Sequence, residues 1–193
     1  MMDIRSFQSP EDLARVSRLL RSYWKERGMS FTEVWTKNYL VKGHALETAK
    51  EFQFVAHEGK TRLGYLSVIL SLGGLAELRD FVVVPEHRGK GYGHSLLQHA
   101  LALCHQLEVR KVIALVFPQT FPFYRQHGFF VEGLLKSHFT EGEDLLALGF
   151  FLKRRKEQQT DLKKTLHDLE EMSSIEKETS SRLLHMKSKP LKT

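Results

Sequence analysis

Three glycines at alternate positions, Gly89, Gly91 and Gly93, stand between the β-branched run Val82–Val84 and the helix-patterned run that begins near His94, with Arg88 and Lys90 beside them. Backbone amides at the start of a helix, flanked by positive side chains, make a cradle for an anion. Glycine suits it because a Cβ would hold the anion's oxygens off the amides. Two well-known phosphate motifs do not fit. The dinucleotide pattern G-x-G-x-x-G needs glycine where His94 stands, and no window supplies G-x-x-x-x-G-K-[ST]. The competing reading is a glycine-rich turn that only joins a strand to a helix.

Other groups able to do chemistry lie on either side of this loop. Glu77 and Asp80, in LAELRDF, are carboxylates able to take a proton, and Tyr124, in FPFYRQHGFF, is a phenol able to give one. Glu77 and Asp80 have opposite strand parity, so a regular strand cannot aim both at one cleft unless a bulge intervenes. An ion pair of Glu77 with Arg79 or Arg62 is as good a reading as catalysis, and Tyr124 also suits an aromatic core beside Phe123 and Phe129. The ten histidines offer no metal-ligand spacing, and His94 and His99 fall on different faces of one helix. Cys104, the single cysteine, lies on an apolar helix face; it excludes an internal disulfide framework and fits a reducing compartment.

The elements that must position these groups follow from periodicity. A strand is expected at Asp3–Phe7, then a helix announced by Ser9, Pro10 and Asp12 with Leu13, Val16, Leu20 and Tyr23 at helical spacing. Ser30 and Glu33 announce a second helix, carrying Trp35 and Tyr39 and ending near Gly43. From Glu51 the period changes to two, giving a hairpin around HEGKT, and the turn SLGG leads into a third strand, Leu75–Val84. The helix after the glycine loop presents Leu96, Leu97, Ala100, Leu101, Cys104 and Leu107; KVIALVF then reads as a buried parallel strand. A short helix stops at Gly128, and strands are expected at Val131–Phe139 and Asp144–Leu152. The expected fold is one α/β (α+β) domain over residues 1–152, with a mixed, mostly antiparallel sheet of six to seven strands and about four helices.

Composition agrees with one soluble domain: 193 residues, 41% hydrophobic and 27% charged. The N-terminus carries Asp3 and Arg5 where a secretory signal needs an apolar core, and LLALGFFL is too short to span a bilayer, so a cytoplasmic location is expected. From Lys153 onward, 11 Lys/Arg against 7 Asp/Glu give +4 of the total +6. That basic tail, 153–193, has Leu162, Leu166, Leu169 and Met172 at helical spacing; it reads as a solvated extension, or as a docking helix for acidic partners.

RGKGYG, Arg88–Gly93, resembles the R/Q-x-x-G-x-G/A motif of the Gcn5-related N-acetyltransferase (GNAT) superfamily, LRDFVVVPEH resembles its fourth strand, and FYRQHGF resembles its F-Y-x-x-x-G-F motif. The resemblance runs in register over Leu75–Phe130 and implies acetyl-CoA as co-substrate, without a metal, and transfer of its acetyl group to a primary amine by direct attack on the thioester. On that basis Val82, Val83 and Val84 offer backbone groups to the pantetheine arm. Arg88, Gly89, Lys90, Gly91 and Gly93, with the His94 amide, surround the pyrophosphate. Tyr124 is implied as the acid toward the leaving thiolate and Glu77 as the base, with Asp80 second, while His138 stands where it could line the acceptor end. Phe117 occupies a position where many members carry Asn, and Pro118 and Pro122 reshape that loop. The acceptor stays open between a protein or peptide amine and a small polyamine- or aminoglycoside-type amine. A non-catalytic acyl-CoA-binding regulatory module is the alternative, and a homodimer stays open.

Overall fold

The computed structural model describes residues 2–43, 49–138 and 141–152. The tail beyond Leu152, with its expected helix, lies outside them. The order is β1 (Asp3–Ser6), α1 (Leu13–Lys25), α2 (Glu33–Lys42), β2 (Lys50–Glu58), β3 (Thr61–Ser71), β4 (Leu75–Val83), α3 (Tyr92–Gln106), β5 (Lys111–Val116), α4 (Phe121–Gln126), β6 (Phe130–Leu135) and β7 (Leu145–Phe151). Short 3₁₀ turns at Pro85–His87 and Pro118–Thr120 follow β4 and β5. The seven strands form one sheet in the order β1-β2-β3-β4-β5-β7-β6, and only β4 and β5 run parallel, as expected of strands joined by a crossover helix.

Strand alternation sorts the core into two layers. Phe54, Leu66 and Val68 face one way and pack with Leu96, Leu97, Ala100 and Cys104 of α3 and with Tyr124 and Phe129. Val55, Tyr65 and Val82 face the other way and pack with Val16, Leu20 and Trp24 of α1 and Leu40 of α2. The two faces of β2 and β3 therefore carry a pair of helices, α1 and α2, and the crossover helix α3 on opposite sides.

Three local expectations need correction. Helix α1 starts at Leu13 rather than at Pro10, and the Asp12 side chain does not cap it. Instead that carboxylate, fully buried, accepts from Arg5 Nη1 at 2.6 Å, Arg62 Nε at 2.6 Å and the Gln8 amide at 2.8 Å. The second helix is capped by Thr32, whose hydroxyl accepts from the Trp35 amide, and not by Ser30. Leu107 is exposed because α3 closes at Gln106 and turns away before the apolar face completes another turn.

Two irregularities in β4 shape everything that follows. Its pairing with β5 covers only Leu75–Leu78 against Lys111–Ala114, yet β4 runs on to Val83 and β5 to Val116, so the two parallel strands part beyond Leu78. Its pairing with β3 slips between Tyr65 and Ser67, which face Val82 and Arg79, so Asp80 and Phe81 share the place of one residue. Asp80 has φ of 52°, a left-handed conformation that Asp tolerates better than most residues.

Candidate active site

Where β4 and β5 part, the molecule opens a cleft of about 850 Å³. Glu77, Asp80, Val82, Val83, Arg88, Gly89, Gly91, Gly93, His94, Tyr124 and His138 all line it, so most residues singled out in the sequence meet in one place. Lys90 and Val84 are not among its lining residues.

The direction of β4 orders the cleft. Its C-terminal end leads into the glycine loop, and the register decides which backbone groups are available there. The Val84 amide donates to the Leu63 carbonyl at 2.8 Å and the Val84 carbonyl accepts from the His87 amide, so both groups are spent. Val82 lies opposite Tyr65, two residues back along the same strand, so alternation directs its backbone groups to β3 as well. Val83 alone of the three valines turns its amide and carbonyl to the opened edge, where the carbonyl already accepts from Arg88 Nε at 3.2 Å. Arg88 also reaches Glu26 at the end of α1, with 3.2 Å between Nη2 and Oε2.

At the loop itself, Gly89 and Gly91 have φ of 76° and 88°, and a Cβ built on either meets nothing within 4 Å. The space beside them is open, and a side chain would fill it. Gly91 is the N-cap of α3 and gives the helix no side-chain cap, so the first amides of this 15-residue helix are left without a capping side chain among the described residues. Uncapped amides, two left-handed glycines and an arginine fit a diphosphate. The Val83 edge beside them fits an extended, amide-bearing arm, which could pair as a strand does.

Tyr124 lines the cleft as well. Its ring is buried against Phe81, Phe123 and Phe129, with centroids 6.1, 5.3 and 5.4 Å away, so the core-aromatic reading holds for the ring. The hydroxyl makes no hydrogen bond among the described residues. Burial, with a smaller contribution from Tyr23, pushes its pKa well above the usual phenol value, so it remains a proton donor at neutral pH.

The other end of the cleft carries the carboxylates, and the bulge at Asp80 lets both line it. Glu77 Oε1 accepts from Arg79 Nε at 2.7 Å, while Oε2 has no partner among the described residues. Asp80 Oδ2 accepts from the Tyr39 hydroxyl at 2.6 Å. In the sequence, Tyr39 and Trp35 stand out only as residues of α2. With Trp24 and Phe31 they form an aromatic wall, and the signal was present as Phe31, Trp35 and Tyr39 at successive i, i+4 positions. Phe117, Gln119 and Thr120 also line the cleft, through the proline-bounded turn after β5. His94 packs 4.9 Å from His127, and His99 stacks edge-on with Phe54 on a different face of α3.

Residues 49–131 match the family model described as an acetyltransferase (GNAT) domain. A spermidine N(1)-acetyltransferase of Vibrio cholerae is 28% identical over 130 residues, 64% of this chain and 73% of that protein. A Bacillus subtilis protein provisionally named a ribosomal protein bS18-alanine N-acetyltransferase is 27% identical over 123 residues, 62% of this chain and 80% of its own. Among solved structures, an aminoglycoside 6'-N-acetyltransferase complexed with coenzyme A superposes with a TM-score of 0.68 at 14% identity, covering 80% of this chain and 99% of that one.

Proposed function

We propose that this chain is an N-acetyltransferase of the GNAT superfamily, and that it transfers the acetyl group of acetyl-CoA directly to a primary amine inside this cleft. One observation carries the reading: the glycine loop, a buried phenol and two carboxylates line one cleft, where β4 and β5 part.

In the transfer, the amine nitrogen forms a bond to the thioester carbonyl carbon, the carbon–sulfur bond breaks with its electron pair going to sulfur, and the ammonium loses its proton. Gly89, Gly91, Arg88 and the first amides of α3 hold the diphosphate, and the Val83 backbone aligns the arm that leads to the thioester. The Val83 amide is the donor on the opened edge best placed for the developing oxyanion. The Tyr124 hydroxyl, kept protonated by burial, donates to the departing sulfur. Glu77, through its second oxygen or a water held there, takes the ammonium proton, while Asp80, anchored by Tyr39, adds negative charge that attracts the ammonium.

Steady-state thiol release from acetyl-CoA, measured with primary amines and with their N,N-dimethyl counterparts, tests this. Release is expected with primary amines only. Binding of acetyl-CoA without release for any amine would replace the reading with that of an acyl-CoA-binding module.

A further inference from the structure

The aromatic wall beside the carboxylates says what kind of amine fits. Phe31 stacks on Trp35 with centroids 4.3 Å apart, Trp35 stacks on Tyr39 at 5.3 Å, and Trp24 meets all three edge-on at 4.9 to 5.9 Å. Both faces of the Trp35 ring are thus covered by neighbouring rings. Trp35, the middle ring of the stack, therefore presents the cleft an apolar edge and not the open, electron-rich face that would hold a cation. Trp35 is nonetheless 45% exposed, and α1 and α2 leave it at the cleft.

Charge gives the second constraint. Among the described residues lining the cleft, Arg27, Arg79 and Arg88 face Glu77 and Asp80, and Glu77 already shares its charge with Arg79. A polycation brings several ammonium groups, each of which needs a carboxylate when removed from water. This lining sets two carboxylates against three arginines, with Arg79 paired to Glu77 at the carboxylate end, which leaves room for one ammonium and not for several. The Tyr39–Asp80 hydrogen bond fixes the distance between the two features, because it ties the last ring of the wall to the carboxylate at the bulge.

We infer that the acceptor is a singly charged primary amine carried on an aromatic body, its ammonium directed to Glu77 and Asp80 and its ring packed on Trp24, Phe31, Trp35 and Tyr39. This rests on the acetyl-transfer reading above for turnover, but not for binding. A free arylalkylamine and the α-amine of a peptide beginning with Phe or Trp present the same chemistry.

The test uses two independent readouts on the full chain. The chain has two tryptophans, and both are in the wall, so phenethylamine should change their emission saturably, whereas spermidine should not. In turnover with acetyl-CoA, kcat/KM should rank phenethylamine or a Phe-initiated tripeptide amide above n-butylamine, spermidine and kanamycin; whichever of the first two leads identifies the source. Trp35→Ala should cut the preference for phenethylamine over n-butylamine by about 10-fold, the scale of one aromatic contact plus its buried area. Trp35→Leu, which keeps apolar bulk without a ring, gives the same ratio should the alanine variant not fold. Turnover of spermidine or n-butylamine equal to or better than phenethylamine overturns the inference and leaves acetyl transfer standing. A saturable emission change with phenethylamine alone, without turnover of any amine, supports the inference and overturns acetyl transfer.

Discussion

At the residue scale, the assignments divide between an acid and a base. Tyr124→Phe removes one hydroxyl from a ring that stays packed, so kcat should fall about 10²–10⁴-fold while acetyl-CoA affinity changes little, as for an interaction made mainly in the transition state. Stopped-flow or steady-state thiol release checks it; an unchanged kcat would leave Tyr124 a core aromatic. Glu77→Gln keeps shape but cannot take a proton, so only acceptor that is already deprotonated reacts. That fraction grows about tenfold per pH unit below the amine's pKa, near 10 for an alkylammonium, so the defect should shrink as pH rises. The Tyr124→Phe defect should not follow that trend, and a pH–rate profile with equal slopes for wild type and Glu77→Gln would remove Glu77 as base. Which residues meet in the cleft was largely legible, because glycine spacing beside Arg88 marks the loop and the resemblance of FYRQHGF to a family motif marks Tyr124. The division of labour among Val82, Val83 and Val84 was not legible, since three identical side chains give no sign of which backbone groups β3 consumes.

The glycine loop and α3 act as one element. Gly91 at φ 88° cannot take a side chain without backbone strain, on the order of 1 kcal/mol, yet the space beside it is open. Gly91→Ala should therefore lose some stability and retain measurable coenzyme A binding, whereas Gly91→Glu adds like charge at the proposed diphosphate site and should abolish binding by calorimetry. Equal affinities for the glutamate variant and wild type would contradict the cradle. At the other end of the sheet, Asp12 joins β1, β3 and the start of α1 through Arg5 and Arg62. Burial alone would raise its pKa, but the hydrogen bonds from Arg5, the Gln8 amide and Arg62 lower it below the usual carboxylate value. The folded state thus holds its proton less tightly than the unfolded chain. The stabilisation is complete above about pH 4 and disappears as pH falls through the lowered value. Asp12→Ala, which leaves two arginines without their partner, should cost about 3 kcal/mol and lower Tm by roughly 10 °C in a thermal melt at neutral pH. Local signals misread this element because an aspartate two residues after a proline looks like a helix start, and only the distant Arg62 reveals its other use.

At the scale of the whole molecule, the proposed function rests on where two parallel strands part. Period-two patterning gave the strands, and the crossover helix made β4 and β5 parallel neighbours; the place of their separation and the bulge at Asp80 depend on pairings between distant segments. The same holds for the aromatic wall, which exists only because α1 and α2 pack beside β4. No helix among the described residues is long and apolar enough to cross a membrane. The most direct measurement of direct transfer in this cleft is a single-turnover mass analysis of protein mixed with acetyl-CoA, first without amine and then with a reactive primary amine. The account predicts an unmodified protein and no burst of free thiol in the first mixture, then one thiol and one N-acetylated amine per acetyl-CoA consumed in the second. A protein that gains the mass of an acetyl group with stoichiometric thiol release before any amine is added would contradict it.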